Sequence, residues 1–114
     1  MRLEELLALT ALAAALAFHP QAHAASAEKG KTAYVQHGCW QCHGLAAQGG
    51  ITGPKLAPEP LPLEAFSAFV RNTNRAMPPY QKAILPEADL ADIHAWLQSL
   101  PKGRDHKQIP LLNP

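Results

Sequence analysis

A chain of 114 residues with a formal net charge of +1 is one domain at most, and it has no excess charge with which to grip a nucleic acid or an acidic membrane surface. Eleven prolines and six histidines favour short helices joined by irregular loops, and no run alternates apolar and polar residues long enough to argue for a strand. A domain this small has difficulty burying enough apolar surface alone.

Residues 1–24 read as a secretory signal peptide. Arg2 supplies the positive start, Leu6 to Phe18 is an almost unbroken apolar run, and Ala22-His23-Ala24 has the small-x-small form of a cleavage site. Glu4 and Glu5 depart from the usual leader. An uncleaved anchor is the alternative, but the apolar run falls short of the roughly 20 residues that span a bilayer. Cleavage after about Ala24 predicts an exported chain with no stable membrane anchor.

Ser26 is placed to cap a helix starting at Ala27, with Glu28 in its first turn. Gly30, Ala33, Tyr34 and His37 share one face, and Gly38 stops the helix. A glycine inside a helix costs about 1 kcal/mol relative to alanine, so Gly30 suggests the close approach of another helix.

Cys39-Trp40-Gln41-Cys42-His43 follows. Two cysteines three apart, with histidine directly after the second, is the pattern of covalent haem c attachment. Each sulfur adds across a haem vinyl group, the spacing lets both reach, and His43 falls under the iron as the proximal ligand. A thioredoxin-like dithiol would need a βαβ context, and a structural zinc site would need four ligands where these are the only two cysteines. A plain disulfide would leave the histidine a coincidence.

Gly44 to Gly50 is loop chemistry. Pro54, within Thr52-Gly53-Pro54-Lys55-Leu56, keeps a carbonyl that could accept from the outer nitrogen of His43. Leu56 would be an apolar wall of the haem pocket. Pro58, Pro60 and Pro62 make a stiff connector, and a helix from Pro62 through Arg71 places Phe66, Phe69 and Val70 on one face, as core. Met77 is the only methionine beyond the leader, and Pro78 and Pro79 hold the backbone after it extended, which suits a chain laid across a haem face. Pro86 to Leu100 is the clearest helix, with Glu87 and Asp89 at its start and Leu90, Ile93, Leu97 and Leu100 as its apolar stripe. Trp96 at the stripe's edge could pack near Gly30, and His94 reads as a satisfied edge histidine. In the tail, Ile109, Leu111 and Leu112 form an apolar patch that Pro110 keeps from being helical. That patch either folds back on the body or docks on a partner.

With these motifs in this order, the chain resembles the class I monohaem cytochromes c of the small bacterial periplasmic type. The resemblance implies an all-α fold of three to four short helices and irregular loops wrapped around one covalently attached haem, with the N- and C-terminal helices crossing near Gly30 and Trp96. By the same resemblance, Cys39 and Cys42 hold the haem, His43 and Met77 are the axial ligands, and Pro54 hydrogen-bonds His43. The expected divisions are 1–24 signal peptide, 25–101 cytochrome c domain and 102–114 C-terminal tail. An iron with both axial positions filled can only change oxidation state, so the expected function is one-electron transfer in the periplasm, not catalysis. The chain would act as a free carrier or as the electron-accepting cytochrome subunit of a dehydrogenase. Its partners would be an upstream dehydrogenase and a downstream cytochrome or oxidase; few lysines ring the motif, so strong electrostatic docking is not indicated, and Lys55 and Lys82 are the nearest candidates. The alternative is a haem c enzyme or gas sensor with an open or displaceable distal site.

Overall fold

The computed structural model describes residues 24–113, so the expected signal peptide lies, except for its last residue, outside the described residues. Among the described residues the fold is all-helical and has no strand: α1 (Ala27–Gln36), α2 (Trp40–His43), α3 (Leu63–Asn72) and α4 (Glu87–Ser99), followed by two 3₁₀ turns at His106–Gln108 and Pro110–Leu112. No described helix is long and apolar enough to cross a membrane.

Ser26 caps α1 as its sequence position implies, its Oγ accepting from the Lys29 N–H at 3.3 Å. The other end closes in a Schellman motif. Gly38 takes φ +74° and donates to the Val35 carbonyl at 3.1 Å, while Cys39 donates to the Tyr34 carbonyl at 3.2 Å. Glycine adopts that left-handed backbone without a Cβ penalty, and the reversal carries the chain directly into the cysteine motif.

α1 crosses α4 at Gly30. A Cβ there would lie inside the van der Waals envelope of the Asp92 carbonyl oxygen, so the missing side chain is what lets the two backbones touch. Asp92, itself buried, turns its Oδ1 to the Ser26 N–H at 2.6 Å and satisfies an amide that the start of α1 leaves without a helical partner. Beside this contact Tyr34 and Trp96 pack with ring centroids 4.6 Å apart at 50°. Tyr34, Leu90 and Leu97 are wholly enclosed here. Each buried side chain of this size contributes about 1.5–3 kcal/mol, well above the ~0–1 kcal/mol of a surface ion pair, so this crossing is the mechanical centre of the fold.

α3 and α4 each start one residue later than the sequence suggests, with Pro62 and Pro86 outside as cap residues in extended backbone (ψ 143° and 155°). Phe66 and Val70 are buried as expected, but Phe69 is 46 % exposed. It lines a cavity instead of joining the packed core. His94 is buried, not at an edge, and its Nε2 donates to the Leu61 carbonyl at 2.8 Å, tying the proline connector to α4.

The tail does not fold back. Leu111 is 92 % and Leu112 61 % exposed, and the hydrogen bonds of residues 104–113 stay within the segment, such as Asn113 to the His106 carbonyl at 2.6 Å. Pro110 opens a 3₁₀ turn, a position where its missing N–H has no partner to lose.

Candidate functional site

The cysteine motif is itself a helical turn, which the sequence pattern does not reveal. Cys42 and His43 both donate to the Cys39 carbonyl, at 3.4 and 3.0 Å. This places Cys39, Cys42 and His43 three and four residues apart on one helical face. Gly44 stops the turn at φ +83°, and its carbonyl accepts from the Tyr34 hydroxyl at 2.8 Å. Burial, with a smaller contribution from nearby Cys39, pushes the Tyr34 phenol well above its ordinary pKa. It therefore stays a donor and locks the end of the motif to the helix crossing.

Neither cysteine is in a disulfide. Burial pushes the Cys39 thiol up to about 11. A dithiol working by exchange needs a readily formed thiolate, which burial disfavours at Cys39.

His43 is buried at the base of the site. Its Nδ1 lies 2.8 Å from the Pro54 carbonyl oxygen, and since a carbonyl can only accept, Nδ1 carries the proton. Nε2 is left with the free lone pair, and the bond to Pro54 fixes the ring that presents it. Gly53 makes the approach possible, because a Cβ on it would sit 2.8 Å from the Cys42 oxygen and 2.9 Å from His43 Nδ1. Farther along the loop, Ala47 holds the strap in place by accepting from Leu56 and Ala57 at 2.9 and 3.2 Å.

Cys39, Cys42, His43, Pro54, Leu56 and Met77 all line one cavity of about 770 Å³, within the ~300–1,000 Å³ of pockets that hold small ligands and cofactors. Phe66, Val70, Leu85 and Ile93 give it apolar walls. Met77 is half-buried against them. Charge enters through Lys55, Glu59 and Arg75, all exposed. Lys82 does not line the cavity and pairs with Glu87 at 3.6 Å. His94 and His106 do not line it either. Among the described residues, no cluster of three or more His, Cys, Asp or Glu could hold a metal ion by itself.

The family model for cytochrome c oxidase, cbb3-type, subunit III matches residues 25–97. The chain belongs to that family. The protein is a monohaem class I cytochrome c, an electron-transfer haem protein, and its partners are redox proteins. No curated protein and no solved structure matches it. The cytochrome's residues fit the haem c that the family implies: an apolar cavity of cofactor size, an imidazole with one free lone pair, a thioether on the same cavity, and two thiols on the helical turn beside them.

Residues that sequence reasoning missed hold this cavity in shape. Tyr80 donates its hydroxyl to the His37 carbonyl at 2.8 Å, and Arg71 reaches the carbonyls of Tyr80 and Leu85. A basic residue in the last turn of a helix was visible in the sequence, but it signals only a complement to the helix dipole.

Proposed function

We propose that the cytochrome is a periplasmic one-electron carrier, or the electron-accepting cytochrome subunit of a dehydrogenase. In this reading one haem c is joined through thioethers to Cys39 and Cys42, and its iron is ligated by His43 and Met77. The observation that carries the reading is that a single apolar cavity is lined both by His43, whose only free lone pair is on Nε2, and by the Met77 thioether. When bound, the haem supplies a one-electron iron couple whose potential a Met/His ligand set raises.

The chain's own part is positional. The Pro54 carbonyl holds the His43 tautomer, and Leu56, Val70 and Leu85 give the cavity apolar walls. Were His43 and Met77 both to hold the iron, they would leave it no site for a substrate. The signal-peptide pattern in the sequence of residues 1–24 supports export. The family's link to a cbb3-type oxidase supports an oxidase or another cytochrome as the electron acceptor.

Visible spectra of the purified oxidised and reduced protein test the assignment. The expected result is a low-spin haem c with a sulfur-to-iron charge-transfer absorption when oxidised, which Met77→Ala abolishes. A five-coordinate spectrum with rapid CO uptake in the wild type would instead support the haem enzyme or gas sensor with an open distal site. The mass of the mature protein reads haem attachment and cleavage after Ala24 together.

A further inference from the structure

Met77 sits on a loop, residues 73–86, that joins α3 to α4; its own turn, in which the Ile84 and Leu85 N–H groups donate to the Gln81 carbonyl at 3.0 and 2.9 Å, lies beyond Met77. Pro78, Pro79 and Pro86 deprive this loop of three backbone donors. The Arg75 N–H bonds locally, to Thr73 Oγ1 at 3.3 Å. A neutral thioether brings no charge to an iron, so its residence depends on how firmly this loop is held.

Besides the buried Leu85 side chain and the Tyr80 hydroxyl bond to the His37 carbonyl, the loop is held from the last turn of α3. Arg71 Nη1 donates to the Tyr80 carbonyl at 2.8 Å and to the Leu85 carbonyl at 2.7 Å, on either side of the loop's return path. Next to this fork, the Tyr80 N–H donates to the Val70 carbonyl at 2.9 Å. Arg71 Nη2 reaches Glu87 Oε1 at 3.1 Å. The arginine side chain is only 12 % exposed, and its Nε–H is buried with no partner. Leaving a buried donor unpaired opposes this arrangement, yet the guanidinium remains where both loop carbonyls can be reached. Bonds from a charged donor are roughly twice as strong as neutral ones, and Nη1 serves both loop carbonyls while Nη2 faces Glu87.

We propose that Arg71 is the positioning residue for Met77: by gripping the Tyr80 and Leu85 carbonyls it holds the thioether in the cavity. The proposal rests on the reading of Met77 as an axial ligand. It also separates two roles of one side chain, since the exposed pair with Glu87 ties Arg71 to α4 whereas the two carbonyl bonds act on the loop.

The test uses the haem-loaded protein as wild type, Met77→Ala, Arg71→Gln, Arg71→Lys and Glu87→Gln. The readouts are the oxidised charge-transfer absorption, CO uptake by the reduced form, and helical circular dichroism. Arg71→Gln is expected to keep its helices and haem, lose most of the absorption and take up CO at least tenfold faster than wild type, approaching Met77→Ala. Glu87→Gln is expected to match wild type in both haem readouts. Should Arg71→Gln not fold, Arg71→Lys carries the test, with retained helices and CO uptake between wild type and Met77→Ala. A folded Arg71 variant with wild-type absorption and CO uptake overturns the proposal whatever its melting temperature, and so does a Glu87→Gln protein that behaves like Arg71→Gln. If Met77→Ala leaves the wild-type absorption unchanged, the ligand assignment itself fails, a result distinct from failure of the clamp.

Discussion

The Tyr80 hydroxyl donates to the His37 carbonyl across 2.8 Å, and the two rings meet edge-on with centroids 6.4 Å apart. One residue belongs to the loop that carries Met77. The other closes α1 just before the cysteine motif. A single hydrogen bond thus ties the loop that carries Met77 to the end of α1, segments far apart in the chain. Tyr80→Phe keeps the ring and removes the bond, and a bond of this kind contributes about 0.5–1.5 kcal/mol. For a domain of this size, each kilocalorie corresponds to roughly 4–8 °C. The expected outcome is a lower thermal midpoint by that amount with unchanged helix content. A midpoint equal to wild type would show the phenol to be replaceable by water.

Gly30→Ala sets helix propensity against sterics. Alanine should favour α1 by about 1 kcal/mol, but its methyl would collide with the Asp92 backbone, which cannot rotate away as a side chain could. Overpacking costs of ~1–3 kcal/mol exceed the propensity gain when both helices must separate. Denaturant unfolding should therefore show a net loss of stability and loosened Tyr34–Trp96 packing, visible as changed Trp fluorescence. A more stable Gly30→Ala protein would mean the crossing can open at little cost.

The Glu87 carboxyl lies below its ordinary value of 4.5, chiefly through the hydrogen bond from Arg71, with Lys82 adding its charge. A depressed folded-state value means that the pair contributes fully above pH 4.5 and that the contribution fades as pH falls through the lowered value. The difference in thermal midpoint between wild type and Glu87→Gln should be positive at neutral pH and shrink below pH 4.5. It should also shrink in 1 M salt, because the carboxylate is half-exposed. A difference that is the same at pH 7 and at strongly acid pH would remove Glu87's charge from the account.

Deleting residues 102–114 should leave the thermal midpoint unchanged, since Leu111 and Leu112 are exposed and the segment's described hydrogen bonds are internal. Calorimetry of the shortened cytochrome checks this. A drop of several degrees would mean that the tail covers the body after all. An unchanged midpoint with lost co-purification of a redox partner would assign the apolar tail to docking.

The sequence by itself determined those features whose physics is local. The cap at Ser26, the stop at Gly38, the cysteine-histidine spacing and the apolar stripe of α4 all follow from residues within a turn or two of one another. Gly30 announced a close helix and Gly53-Pro54 an acceptor for His43, because a missing Cβ and a missing N–H each leave few alternatives. Only the tertiary structure decided which distant groups meet. Arg71 looks like any arginine at a helix end until the return of the loop brings the Tyr80 and Leu85 carbonyls to its fork. Tyr34 gains a role at the motif only because α1 lies beside Gly44. Phe69 shares a helical stripe with Phe66 and Val70, yet stands half-open on the cavity, because periodicity records which face a side chain occupies and not how much of that face the rest of the chain covers.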